Sequence, residues 1–401
     1  LATTAGLLFA STASAWTYDD LSASQKKSYD RQQSFLDEIS ARFGITAPKV
    51  PLSTYLGIDT RGDNPDITSV QVLNRGEQEA SFRQATYGQV FKKGDYQPSK
   101  TLFYSTPSNP SNQGVQSDIK TYWDDGSVQH AILTFQLDDV PAGGARELRL
   151  FTHGNQQESG YDGSLKIRDL LATSFNADVT VHGQNGHEFT SDARQLLQSI
   201  ADSGGCDQVP DKQCRTWLSG ALASEWIIGG RLAGTEGTRE HQMAVYFHVR
   251  AYADYSGQIN SARVDTVFEN GFTYGKTASN LNYRATLNVG DQQFVSNELK
   301  HYNHARWHKA LWWGSDPKLY VQQDTEYLQD TGAIPEYEDI QPRASDLAKL
   351  ASAYPIMDNG DQTARMGNAG AQAGIGPLPS WTARYALSGA PQAFDHMTAN
   401  D

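Results

Sequence analysis

Fourteen consecutive residues, HYNHARWHKALWWG from His301 to Gly314, place three of the chain's 10 histidines and three of its 8 tryptophans beside Arg306 and Lys309. The mixture suits a sugar ligand. The flat indoles of Trp307 and Trp312 can stack on the apolar face of a pyranose. Arg306 can grip a carboxylate in two-point fashion, and a histidine can move a proton near neutrality. His304 or His308 is the expected base with Arg306 on the carboxylate, and Tyr302 is the alternative base. His301, His304 and His308 also have the spacing of one helical side, which raises zinc. The segment lacks a helical HExxH arrangement, however, and KALWWG reads as strand, so packing or sugar contact is the stronger expectation and no metal ligand is assigned. A competing structural reading exists too, because alternating Leu311 and Trp313 would suit a buried strand face.

Two further groups could carry chemistry. In DNGDQTARMGNAGAQAGIGPLPSWTARY, glycines allow close backbone approach, and Arg365, Asn368, Gln372, Trp381 and Arg384 offer carboxylate and sugar contacts. The loop lacks both a strand-GxGxxG-helix order and a Walker lysine, so it does not read as a phosphate site. In IPEYEDI, Glu336, Glu338 and Asp339 could serve a glycoside hydrolase or hold calcium, although acids in a linker are more often a solvated face.

The elements around these groups are mostly strands. From Ser69 to Phe151, and again from Asn176 to Gln323, short segments alternate apolar with polar residues between Gly, Asn, Asp and Pro turns. QMAVYFHVRAYAD, SARVDTVFENGFTY and LNYRATLNVG are the strongest in the second block, and KLYVQQD closes it. SDARQLLQSIADSG predicts a short helix ending near Gly204. Leu21, Tyr29, Phe35, Leu36, Ile39 and Phe43 form a helical stripe before Gly44, and Trp381, Tyr385, Phe394 and Met397 suit two helices separated by Gly389.

The 401 residues imply more than one core. A net charge of -13 disfavours nucleic acid as a partner. The mean hydropathy of -0.57 excludes a polytopic membrane protein. LATTAGLLFASTASA has the apolar stretch and Ala13-Ser14-Ala15 ending of a signal peptide, too short to span a bilayer, so a secreted, periplasmic or extracellular location is expected. Cys206 and Cys214, the only two cysteines, are expected to pair across a local loop outside the cytosol. Missing initiator features at the front and an unfinished helical region at the back lead to the expectation that the natural chain extends past both ends.

TYGQVFKKGDY, WDDGSVQHAILTFQL and PAGGARELRLF, in that order, resemble the N-terminal β-barrel of exo-rhamnogalacturonan lyase-like proteins. WDDGSVQHAIL is the most specific piece. Asp125-Gly126 reads as a tight turn into a strand with Val128, His130 and Ile132 on one face. The resemblance implies a mainly β protein with a helical C-terminal part: a β-barrel and a β-sandwich followed by the first helices of a truncated α/α toroid. Its expected divisions are a signal remnant at 1–15, a helix and linker at 16–65, the barrel at 66–155, the sandwich at 156–330, and a linker with the toroid start at 331–401. It further implies a polysaccharide lyase that cleaves an acidic, uronate-containing glycan by β-elimination in a cleft between sandwich and toroid; on their chemistry, Arg365 and Arg384 are expected to face the histidine cluster across it. The alternatives are a non-catalytic glycan-binding or cell-surface protein and a glycoside hydrolase.

Overall fold

Alternation writes the first strand: in TSVQVLN, Val70 and Val72 are apolar and Ser69 and Gln71 polar, so extended backbone buries one row and wets the other. This is β1 (Thr68–Asn74). The computed structural model describes residues 66–106, 113–153, 163–183, 186–234, 239–254, 256–271, 278–335, 342–362 and 378–400, with Lys26 and Asp30. The expected signal remnant and, apart from those two helical residues, the N-terminal helix lie outside the described residues.

The chain continues through β2 (Ala80–Val90), β3 (Thr101–Ser105), β4 (Gln113–Gly114), β5 (Gln116–Tyr122), β6 (Val128–Val140) and β7 (Ala145–His153). β1, β7, β3 and β4 pair in that order, while β2, β6 and β5 form a second small sheet. Val70, Val72, Phe91, Leu102, Leu133, Phe135, Leu148 and Leu150 fill one core between them. Gly126 takes the turn at a positive φ of 82°. The expected shared face of Val128, His130 and Ile132 is corrected here. Tyr122 faces Val128 while Thr121 faces His130, so Gln129 is an extra residue, and the parity of β6 flips. Val128 is therefore buried together with Ala131, Leu133 and Phe135, and His130 points to the other side.

The second block holds α1 (Ile167–Leu171), β8 (Ala177–Gly183), β9 (Glu188–Asp192), α2 (Ala193–Asp202), β10 (Cys214–Ser219), β11 (Ala223–Gly234), β12 (Arg239–Ala253), β13 (Ile259–Asn270), β14 (Leu281–Val289), β15 (Gln292–Val295), β16 (Leu299–His301) and β17 (Arg306–Gly314). Asp192 starts α2 by accepting from the Gln195 amide at 2.9 Å. The Cys206–Cys214 disulfide closes the loop between α2 and β10. The large sheet runs β15-β14-β8-β9-β11-β12-β13-β17. Its ends approach each other: the Trp312 amide donates to Gln292 Oε1 at 3.0 Å, and the Phe294 and Trp307 rings lie 6.5 Å apart. The sheet thus folds over a core that includes Val179, Val181, Phe247, Val249, Phe268 and Leu287. This is a β-rich protein with few helices, in which several sheets are consistent with a barrel and a sandwich.

KLYVQQD departs from its expected place. It forms β18 (Leu319–Gln323), which pairs with β1 instead of closing the sandwich, with Val72 opposite Val321. The edge of β1 supplies unsatisfied backbone groups, and Val321 joins the core of Val70 and Val72. After α3 (Thr325–Asp330) and α4 (Ala344–Leu347) come α5 (Ser380–Ser388) and α6 (Pro391–Ala399). Gly389 ends α5 in the left-handed conformation, and proline at the first position of α6 needs no amide. Tyr385 and Phe394 pack edge-on against Tyr320 of β18, and Arg75 pairs with Asp395. These helices therefore dock on the first sheet. No described helix is long and apolar enough to cross a membrane.

The two β blocks are stitched by Gln116. Its Oε1 accepts from the Leu222 and Ala223 amides at 3.0 and 2.9 Å, and its Nε2 donates to the Ala223 carbonyl at 2.8 Å. Gly220 leaves room for it, since a Cβ there would overlap the Gln116 carboxamide. Gly220→Ala is expected to displace this buried side chain and lower stability by about 2–4 kcal/mol, read as a shift in the urea midpoint.

Candidate functional site on the outer face of the large sheet

Strand alternation sends one set of side chains from β11, β12, β13 and β17 into the core and leaves the other as an outer face. Two registered rows cross that face. One is Glu225, Arg250, Arg263 and Trp312; the next is Ile227, His248, Asp265 and Ala310. Arg306 and His308 extend the same face along β17, with Arg306 opposite Glu269.

Charge is arranged in pairs across these rows. Arg250 Nε donates to Glu225 Oε2 at 2.5 Å, and His248 Nδ1 lies 3.9 Å from Glu225 Oε1. Asp265 sits between two donors, His308 Nδ1 at 2.8 Å and Arg263 Nη2 at 3.1 Å. Burial pushes the Asp265 carboxyl up, but the His308 hydrogen bond and the Arg263 charge outweigh it and hold the group at about 2. Burial lowers His248 despite the two nearby carboxylates. Arg250 is desolvated, yet Tyr252 and Glu225 hold it firmly in its charged form. Beside these groups the Tyr252 and Trp312 rings stack at 5.8 Å and 18°. His248, Arg263 and His308 each keep about a third of their side chain exposed, at 34%, 33% and 37%, so the face is partly open to a ligand.

The opening histidine cluster is split by this geometry. His301 is fully buried. Trp307 Nε1 donates to Tyr283 Oη at 2.7 Å, Tyr283 Oη lies 2.9 Å from His301 Nδ1, and His301 Nε2 lies 2.9 Å from the Ala305 carbonyl. The carbonyl requires a hydrogen on Nε2, so Tyr283 donates to Nδ1 and the relay runs in one direction. Burial lowers His301, which agrees with a neutral ring. Trp307 is only 5% exposed and stacks flat on Phe268 at 4.0 Å, which corrects its expected role as a sugar platform. His308 points to the opposite face of the strand from Trp307. His301 and His308 therefore do not converge, and among the described residues no group of three His, Cys, Asp or Glu could hold a metal ion.

His304 and Tyr302 lie in the turn that enters β17. Tyr302 is 47% exposed and His304 has φ 59°, a conformation fixed by its amide bonding to the Asn270 carbonyl at 2.7 Å. The buried Asn270 carboxamide also spans the Ser279, His301 and Tyr302 carbonyls. Trp312 and Arg306 stay on the outer face.

The second expected group does not join this site. Arg365, Asn368 and Gln372 lie outside the described residues, as do Glu336, Glu338 and Asp339 with their calcium or hydrolase roles. Trp381 is 5% exposed inside the helical region, which corrects its expected sugar contact. Arg384 Nη1 lies 3.7 Å from Asp361, which also bonds His396 Nε2 at 2.9 Å and Tyr354 Oη at 2.7 Å. Its described partner thus belongs to the helical region rather than to β17. Sequence reading missed Glu225, His248, Arg250, Tyr252, Arg263 and Asp265. For all but Glu225 the signal was present as polar residues at period two inside the apolar strands VYFHVRAYA and SARVDTVF.

Residues 66–144 match the family described as PcRGLX-like N-terminal RIFT barrel domain. This supports the rhamnogalacturonan lyase-like resemblance carried by WDDGSVQHAIL and its flanking motifs. No curated protein matches the chain.

Proposed function

We propose that this chain, with its RIFT barrel domain at 66–144, is an exported polysaccharide lyase that acts on a uronate-containing glycan by β-elimination. The observation that carries the reading is the ordered His308–Asp265 pair on a partly open sheet face, beside the Trp312 ring, which is stacked on the buried Tyr252. Elimination needs a base for the proton next to the carboxylate and a cation that offsets developing negative charge. With Nδ1–H donated to Asp265, His308 presents Nε2 as the proton acceptor. Arg306, two residues away on the same strand face, is the cation for the substrate carboxylate, and Trp312 supplies a ring surface. His304 and Tyr302 flank the entry to the strand as alternative bases. The disulfide and the signal-like first residues support export. The proposed domain plan is a barrel, a sandwich and helices of a toroid type.

A hydrolase reading fits this face less well. Asp265, held at about 2, stays ionised near neutrality and cannot serve as the acid of a carboxylate pair. A non-catalytic glycan-binding protein would use the same face without proton transfer. Incubation with pectic and other uronate polysaccharides decides among them. Rising ultraviolet absorbance from an unsaturated product supports elimination, reducing ends without unsaturation support hydrolysis, and retained binding with no product supports the non-catalytic reading. Arg306→Ala is expected to abolish the absorbance signal while circular dichroism stays unchanged; activity near the parent level would remove Arg306 from the site.

A further inference from the structure

Two β-bulges face each other across the seam between the barrel and the large sheet. On β5, Ile119 pairs with Ala131 and Thr121 with His130, so Lys120 is an extra residue outside the ladder. On β10, Thr216 pairs with Trp226 and Leu218 with Glu225, so Trp217 is likewise extra. Bulges re-aim side chains and are frequent beside functional sites. Here they bring the Lys120 amine to 4.3 Å from the Trp217 ring centroid and into a hydrogen bond with the Trp217 carbonyl. Arg215, exposed on β10, lies 5.9 Å from the same ring.

Local charge around these two cations is net positive by one. Asp118 is engaged by the Ser219 amide at 2.8 Å and by Gln116 Nε2 at 2.8 Å, while Glu225 is paired with Arg250. Lys120 is coupled electrostatically to all four charged neighbours, Asp118, Glu225, Arg215 and Arg250, and burial lowers its proton affinity. Two carboxylates and three cations leave one positive charge for a ligand. A lysine ammonium keeps two N–H donors after bonding one carbonyl, and an indole offers a flat surface to a pyranose.

We propose that the Lys120–Arg215–Trp217 seam is a binding subsite for one anionic sugar unit, with Lys120 and Arg215 on its carboxylate and Trp217 against its ring. It rests on the carbohydrate reading for the ligand class and is independent of any elimination step. It also lies apart from His308, on the far side of the β11–β12–β13 outer face.

The test is calorimetric and fluorescence titration of the full chain with free galacturonate and, in parallel, with galactose. Galacturonate is expected to change tryptophan emission and to bind at least tenfold more tightly than galactose, and added salt is expected to weaken it. Arg215→Met and Lys120→Met should each weaken galacturonate binding about tenfold. Arg215 is exposed, so its variant keeps the test valid even if Lys120→Met loosens the seam. His308→Ala should retain binding. Equal affinity for the two sugars, an undiminished Arg215→Met, or loss in His308→Ala alone would each overturn the subsite. None of these outcomes bears on product formation, which is read separately by absorbance.

Discussion

His308→Ala is expected to lower the rate of unsaturated-product formation by about 10²–10⁴-fold, the usual contribution of a positioned general base. The loss should fall on kcat more than on KM, because Trp312 and Arg306 remain to hold the sugar. Asp265→Asn tests whether positioning matters. The amide cannot reproduce a charged acceptor for His308 Nδ1–H, so a loss of about 10–100-fold relative to the parent is expected, with the fold retained. The pH profile adds a sign. The Asp265 carboxyl is depressed in the folded protein, so its stabilising pairing is present above the unfolded carboxylate range and is lost only as pH falls through about 2. Any acid limb of activity above pH 4 therefore belongs to another group. Unchanged kcat in His308→Ala would move the base to His304 or Tyr302, which occupy the turn at the start of the same strand.

The outer face shows what a linear sequence can and cannot carry. Strand existence was legible because VYFHVRAYA and SARVDTVF alternate so regularly, and the turn at Asp125-Gly126 was legible from its residue types. The disulfide followed from two cysteines in one short loop. What sequence could not supply was register. Glu225 meets Arg250, and Asp265 meets His308, only because two antiparallel ladders align residues that are 25 and 43 positions apart. Two bulges, at Gln129 and Lys120, each reverse side-chain parity locally, and a bulge has no marker in residue type alone. Register also explains why the densest motif was misleading. HYNHARWHKALWWG is half core and half surface, because a period-two strand sends Trp307 inward and His308 outward whatever their shared chemistry. β18 crossed a presumed boundary for a similar reason: its apolar alternation fits either sheet, and only the open edge of β1 decides between them.

Tyr283→Phe should be the most destabilising single-atom change in the sandwich. The Tyr283 hydroxyl is both acceptor for Trp307 Nε1–H and donor to His301 Nδ1, and all three side chains are buried. Removing the oxygen orphans one donor and one acceptor where water cannot replace it. At about 1–3 kcal/mol for each unsatisfied group, the expected cost is about 2–4 kcal/mol in urea unfolding at pH 7.5. A double-mutant cycle separates this from simple packing loss. Trp307→Phe removes the orphaned donor, so Tyr283→Phe added to it should cost less than Tyr283→Phe alone, whereas additive costs would show that the relay contributes nothing. The same relay sets a pH dependence. Burial lowers His301 in the folded state, so the unfolded chain binds the proton more readily; stability is fully present above about 6.5 and declines as pH drops below it toward the folded value. In His301→Gln that part of the acid destabilisation should disappear. If the variant and parent lose stability in parallel between pH 7 and 5, His301 is not the group that couples protons to folding.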